Sequence, residues 1–385
     1  MIKLRKRLLT AGLCIAMTAA LLAGCGSNAG KAIATLDGEK VDFALANFMV
    51  RYNQAQMQSA YGAMFGDNMW SSYGETTKSG IMETIEQQLI LEKHMDEYKV
   101  TISDEEKAQI TEAAKEFLET NDEKVLDAMT ASQETIERML TLTLIQSKMQ
   151  KAIIADVDTE VSDEEAAQKT IQYVLFSTAD STDEEGNTVT LTDEEKTAMK
   201  EQAQQVLDAV KGGEELDAAA KAVDESKAAS TSSYGTDNGT IPDEVKTAAD
   251  ALEDGQVADS VVETENGYYV VQMQSTFDEE ATQNQKATIV SQRQSDKFEE
   301  VYNAWKEGVT FTTDEKLLEK IDFVDTFEVK TTEAATEAGS ESATEAVSQA
   351  ATEAGSETEA AETTTETAAD EPQSESAAET ETAAK

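Results

Sequence analysis

From Thr331 onward the chain is written almost wholly in Ala, Glu, Thr and Ser, and this limits what can fold more than any other feature. "ATEAGSE" occurs at Ala335 and again at Ala351, with the variant "ATEAVSQ" at Ala343, a period of eight. No aromatic residue interrupts the segment, and fourteen acids face one base, Lys385. Such a composition cannot bury enough apolar area to offset the entropy of ordering it, so 331–385 reads as a disordered acidic tail. A core has to come from residues 31–330, a length that suits two modules.

The other end is equally distinct. Lys3, Arg5, Lys6 and Arg7 form a basic cluster, followed by an apolar run over 8–23. That run is shorter than the ~20 residues a spanning helix needs, and it ends in small residues, as a secretory signal does. The closing "LAGC" resembles the bacterial lipoprotein box, in which Cys25 is acylated and becomes the first mature residue, so 1–24 reads as a lipoprotein signal peptide. Acyl chains, at ~0.8 kcal/mol per buried methylene, would hold the protein on the extracytoplasmic face of the cell membrane.

This reading also settles the chemistry of sulfur and imidazole. Cys14 leaves with the signal and Cys25 carries lipid, so no disulfide, zinc cluster or thiol nucleophile remains. The single histidine, His94, follows Ile90 by one helical turn and suits a packed helix position better than a ligand role. A Ser-His-Asp triad, an HExxH site and a CxxC pair are all excluded. The acids of "ADSTDEEGNTVTL" miss the EF-hand spacing, so no metal and no cofactor is expected. Removing a signal with four basic residues and no acids leaves 27 bases against 77 acids, a net charge of −50. That charge repels nucleic acid and anionic headgroups.

Between the ends, periodicity divides the chain. "KAIATLDGEKVDF" predicts a short strand with an Asp37-Gly38 turn, leading into a helix near Asp42. Helical spacing dominates to about residue 156: Ile81, Ile85 and Leu89 share one face, as do Ile136, Leu140 and Leu144. Ser103 with Glu106, Ser162 with Glu165 and Thr192 with Glu195 have capping-box spacing. "IQYVLFST" predicts a strand, and helices follow to Lys211, in "EELDAAAKAV", and in "IPDEVKTAADAL" with Pro242 in its first turn. "DSVVETENGYYVVQM" predicts a hairpin turning at Asn266-Gly267. An amphipathic helix over 281–308 then presents Val290, Phe298, Val301 and Trp305 on one side.

That order of strand, helices and hairpin resembles the parvulin-type peptidyl-prolyl isomerase domain. "LDAAAKAV" is similar to the family's F-x-x-L-A-K helix. The stretch from Pro242 to Met273 resembles its V-P-x-F and G-Y-H-I-I phrases, with Ala249, Leu252, Gly255, Val261, Thr264, Gly267 and Tyr268 at matching places. The flanking "IATLDGEKV" and "IEQQLILEKHMDEYKVTISDEE" look like the chaperone module of the SurA and PrsA foldases. The resemblance implies an α+β fold. A helical chaperone module is built from N- and C-terminal segments, 25–160 and 279–330, and a parvulin-like domain with a small antiparallel sheet spans 161–278.

Where the family carries two facing histidines beneath its prolyl pocket, this sequence has Tyr173 in "QYVLF" and Tyr269 in "GYYVV". A phenol can donate and accept a hydrogen bond and fill an apolar layer, so the pair could satisfy each other beneath the pocket floor. It cannot supply imidazole protonation chemistry. By the same resemblance Asp224 is the nearest counterpart of the family's pocket acid or thiol, giving Tyr173, Tyr269 and Asp224 as candidate catalytic residues. Ile241 and Val245 stand where the family has larger pocket residues, and Tyr234 stands for a leucine. Phe65 and Trp70, in the loop "YGAMFGDNMW" where Gly62 and Gly66 interrupt an apolar run, are candidates for binding unfolded clients.

The function implied is a membrane-anchored foldase for unfolded exported polypeptides, with isomerase activity reduced or absent. The alternatives are an active isomerase with a tyrosine-built site and a non-catalytic lipid-anchored scaffold. A holdase protects many unfolded chains whereas a scaffold recognises few, and the sequence leaves monomer and homodimer both open.

Overall fold

The structure, a computed structural model, describes residues 28–65, 69–182, 188–235, 241–323 and 328–330. Cys25 and the acidic tail lie outside the described residues. The chain opens with the hairpin β1 (Ala32–Leu36) and β2 (Glu39–Asp42), then helices α1 (Phe43–Phe65), α2 (Met69–Lys93), α3 (Asp104–Thr120), α4 (Glu123–Ala128) and α5 (Gln133–Ile153). A one-turn helix α6 (Asp163–Ala166) leads into β3 (Lys169–Ser177) and a small exposed hairpin, β4 (Ser181–Thr182) and β5 (Thr188–Val189). Helices α7 (Asp193–Lys211) and α8 (Leu216–Val223), strand β6 (Ser230–Tyr234) and helix α9 (Asp243–Asp250) follow. Strands β7 (Val262–Thr264) and β8 (Gly267–Ser275), the long helix α10 (Glu279–Lys306), strand β9 (Phe311–Thr313) and α11 (Glu315–Leu318) come last. The fold class is α+β.

Local chemistry explains most element ends. Asp37 and Gly38, at φ 50° and 87°, form the tight turn that joins β1 to β2. Ser103 and Thr192 accept the amides of Glu106 and Glu195, whose carboxylates reach back to the cap amides. Each such cap contributes about 1 kcal/mol. Pro242 is the cap residue before α9 rather than part of its first turn. The second hairpin differs from the sequence reading by one residue. Thr264 pairs with Gly267, so Glu265 and Asn266 form the loop and Gly267 is already strand.

Helices α1 to α5 enclose one core, where Phe48 meets Phe117 edge-on at 5.6 Å. The C-terminal part of the chain joins that core. Strand β9 pairs with β1, giving a sheet of order β2-β1-β9, and Leu317, Leu318 and Ile321 are buried in the same cluster. Along α10, Phe298, Val301 and Trp305 pack on Leu91, Val100, Ile145, Met149 and Ile153. His94, just past the end of α2, stacks on Trp305 at 4.1 Å and 7°, with Nδ1 2.7 Å from Glu97 Oε1.

The second unit is the antiparallel sheet β6-β3-β8-β7. Side chains alternate across it. Val174, Phe176 and Val270 face α7 and α8. Ile171, Tyr173, Leu175, Tyr269, Val271 and Met273 face α9 and the chain that follows it. Entry and exit lie side by side, because the Asp278 amide donates to the Gln168 carbonyl at 2.8 Å. Among the described residues no helix is long and apolar enough to cross a membrane.

Candidate active site

Tyr173 and Tyr269 reach the same face of the central strand pair, but not as direct partners. Leu175 pairs with Tyr269 and Tyr173 with Val271, so the two tyrosines are diagonal neighbours. Their rings lie 5.5 Å apart, inclined at 45°. Diagonal placement brings the rings together without aligning the hydroxyls, and among the described hydrogen bonds none joins them. The mutually satisfied phenol pair expected from the sequence is therefore replaced by ring contact. Burial raises the pKa of Tyr269, with Tyr173 adding to the shift.

The three residues matched to the prolyl pocket share this layer. Tyr234 and Ile241 are each 3% exposed and Val245 is fully buried, packed with Ala249, Val271 and Tyr269. The Tyr234 hydroxyl donates to Asp250 Oδ1 at 2.7 Å, and Lys169 Nζ reaches the same oxygen at 2.8 Å. Burial, and then Asp250, push the Tyr234 phenol far above its ordinary value, so it stays a donor. Burial works against the Asp250 carboxylate, yet the bonds from Lys169 and Tyr234 outweigh it and lower its pKa.

Asp224 is placed differently. It caps α8, which packs on the opposite face of the sheet, and it accepts from the Ser226 amide at 2.9 Å and the Ser226 hydroxyl at 2.7 Å. These bonds, those of Ser226 foremost, lower its pKa and make it a turn-forming carboxylate. Nothing in its hydrogen bonding links it to Tyr173 or Tyr269.

In the helical module, the side chain of Phe65 lies outside the described residues. Trp70 is only 8% exposed; its indole donates to Gln58 Oε1 at 3.0 Å and stacks flat on Phe323 at 5.0 Å and 2°. Sequence reasoning did not single out Asp250, Lys169 or the polar residues Arg51, Gln54 and Lys78, which are 4%, 1% and 5% exposed. Arg51 and Gln54 carried no distinct signal, because α1 also bears Asn47, Asn53, Gln56 and Gln58. Asp250 carried none, since only the pairing of Lys169 with Tyr234 across β3 and β6 assembles its site.

Comparison with known proteins addresses this domain. A family described as "Rotamase: PPIC-type PPIASE domain" matches residues 173–275. No curated protein matches the chain. Among solved structures, the foldase protein PrsA of Lactococcus lactis is 14% identical with a TM-score of 0.30, covering 76% of this chain and 100% of that one. The peptidylprolyl isomerase PrsA of Bacillus cereus is 18% identical with a TM-score of 0.28, covering 82% and 99%. A SurA-like chaperone of Campylobacter jejuni is 11% identical with a TM-score of 0.25, covering 74% and 99%. Residues 173–275, whose sheet carries the Tyr173 and Tyr269 pair, match the PPIC-type, or parvulin-type, rotamase domain model.

Proposed function

We propose that the chain is a lipid-anchored extracytoplasmic foldase that holds unfolded exported polypeptides, with a parvulin domain of reduced or absent isomerase activity. The observation that carries this reading is the closed layer around Tyr269, where Tyr234, Ile241 and Val245 are 3%, 3% and 0% exposed. Rotation about an X-Pro bond faces a barrier of about 20 kcal/mol, and an isomerase lowers it by binding the twisted amide best. These three side chains are packed against one another and present little surface to a prolyl ring, which leaves the partly buried Tyr173 and Leu175 as the accessible part of that face. The holding role is supported by the helical module, where Tyr61 and Tyr73 are 42% and 50% exposed near the adjoining ends of α1 and α2. Anchoring rests on "LAGC" alone.

The test pairs a prolyl-peptide isomerisation assay with suppression of aggregation of unfolded proteins. Broad protection with turnover far below that of an ordinary parvulin is the expected result. The ring contact at 5.5 Å favours a second reading, an isomerase built on tyrosine. Strong turnover abolished by Tyr173→Phe or Tyr269→Phe would establish it instead. Cys25→Ser should move the protein from the membrane to the soluble fraction, and retention after a salt wash would defeat the anchor.

A further inference from the structure

Among the described residues, the helical module and the inserted sheet share no apolar core. The clusters around Phe48 and Leu91 draw only on residues outside 169–277, and those around Phe176 and Val271 only on residues within it. Units joined without a large apolar interface move relative to one another by default. Whatever sets the orientation of this sheet therefore lies in its two chain crossings.

The exit crossing is α10, which is fastened to the sheet at its start. One oxygen of the Asp278 carboxylate accepts the Ala281 amide at 2.9 Å, and the other accepts the Thr170 hydroxyl at 2.7 Å. That hydroxyl lies 2.7 Å from the hydroxyl of Ser233, on the edge strand β6. Thr282, 1% exposed, accepts the Gln168 amide. At its other end Phe298, Val301 and Trp305 dock the same helix on the helical module. Helix α10 is thus an arm with the sheet at one end and the module at the other.

The entry crossing has no such footing. Residues 154–165 include none that is buried, so apolar packing does not place them. They are held by cations from α10 instead. Arg293 Nη1 donates to the Asp158 carbonyl at 3.0 Å and to the Glu160 carbonyl at 3.1 Å. Its Nη2 donates to Glu165 Oε1 at 2.6 Å, and nearer the sheet Lys286 pairs with Asp163. A planar guanidinium can span two carbonyls and a carboxylate at once, which a lysine ammonium on its flexible stem does less well. As a surface ion pair with Glu165 alone, Arg293 would contribute little. Its bonds to two backbone carbonyls fix the path of the linker itself.

We propose that Arg293 is an orientation clasp, which fastens the entry linker along α10 so that both crossings move as one stalk. The sheet then keeps a single orientation on the helical module. Arg293 is a positioning residue in this role. The inference goes beyond the foldase reading and does not depend on it.

The experiment uses the mature chain carrying Cys25→Ser, which has no other cysteine. Spin labels go on two exposed positions, Lys115→Cys on α3 and Gln205→Cys on α7, and pulsed electron resonance reads the distance between them. The expected distribution is one narrow peak, which Arg293→Ala should broaden or split without loss of cooperative melting. Lys297→Ala removes a neighbouring cation that pairs with Glu300 on its own helix, and it should leave the peak unchanged. Cleavage after Glu160 by a glutamate-specific protease, followed by mass spectrometry, should accelerate about ten-fold in Arg293→Ala alone, because cutting tracks local opening of the linker. A broad distribution in the parent chain would overturn the proposal, as would a peak that stays narrow in Arg293→Ala. Equal broadening in Lys297→Ala would overturn it too. A lower melting temperature with an unmoved peak would make Arg293 a plain stabiliser, and the clasp would again be wrong.

Discussion

Tyr173 and Tyr269 touch through their rings and not their hydroxyls, which changes what a Tyr→Phe substitution tests. Removing one member of a bonded, buried phenol pair costs ~1–3 kcal/mol, because the other is left unsatisfied. Neither hydroxyl is stranded here: Gln88 Oε1 is the one buried side-chain polar atom without a partner among the described residues. Tyr173→Phe and Tyr269→Phe should each change stability by less than ~0.5 kcal/mol, with the double variant additive. Tyr269→Ala removes a ring from the layer it shares with Val245 and Val271 and should cost ~3–5 kcal/mol. Urea denaturation of the variants checks both, and a single Tyr→Phe loss above ~2 kcal/mol would restore the bonded pair. The two tyrosines were legible in the sequence from the phrases around them. Their geometry was not, because whether two side chains are opposite or diagonal depends on register across strands nearly a hundred residues apart.

At the scale of elements, the hairpin of β7 and β8 shows how a strong local signal can be right in kind and wrong by one position. "NG" marks the bend, but Gly267 is needed for packing as much as for turning. Its φ is +143°, and a Cβ there would meet the Phe176 carbonyl oxygen at 2.3 Å. Strand β3 therefore closes on β8 only because the side chain is missing. Gly267→Ala should cost about 3 kcal/mol or more, since overpacking and backbone strain act together. A thermal melt within a degree or two of wild type would show that the strands separate there without cost.

Two of the three expected capping boxes form, at Ser103 and Thr192. Ser162 caps α6 without a return bond from Glu165, whose carboxylate accepts from Arg293. One of the two boxes also ties helices together. Glu106, besides closing the box at Ser103, accepts Lys148 Nζ from α5 at 2.6 and 2.8 Å. The Lys148 bond, with the Ser103 amide and hydroxyl, lowers its pKa from 4.5 to about 2. A depressed carboxylate pKa means the unfolded chain binds the proton first. The stabilisation is therefore complete above pH 4.5, declines as pH falls, and is gone below about pH 2. Glu106→Gln should lower stability at neutral pH and flatten its dependence across that window. An unchanged acid limb in the variant would show that the pair contributes nothing to it.

Across the whole molecule, the chain leaves the helical module once and returns to it. Gln168 and Asp278 are hydrogen-bonded neighbours, and the Gln168 amide donates to the Thr282 hydroxyl at 3.1 Å. The parvulin-type sheet is thus inserted through one doorway. The helical module is closed without it, by β9 on β1 and by α10 against α2 and α5. The closing strand was not legible in the sequence. Phe311–Thr313 is three residues long, too short for alternation to register, and its partner lies near the start of the fold. The doorway makes excision geometrically simple. Deleting 169–277 and joining Gln168 to Asp278 through two glycines should leave a module that melts cooperatively, because none of its own core is removed. If client holding resides there, the excised module keeps most of the aggregation suppression of the full chain, while the isolated 169–277 fragment has little. A module that unfolds without a transition would mean that the inserted sheet is part of one cooperative core. Suppression that travels with the fragment instead would move client binding to the inserted sheet, away from the helical module.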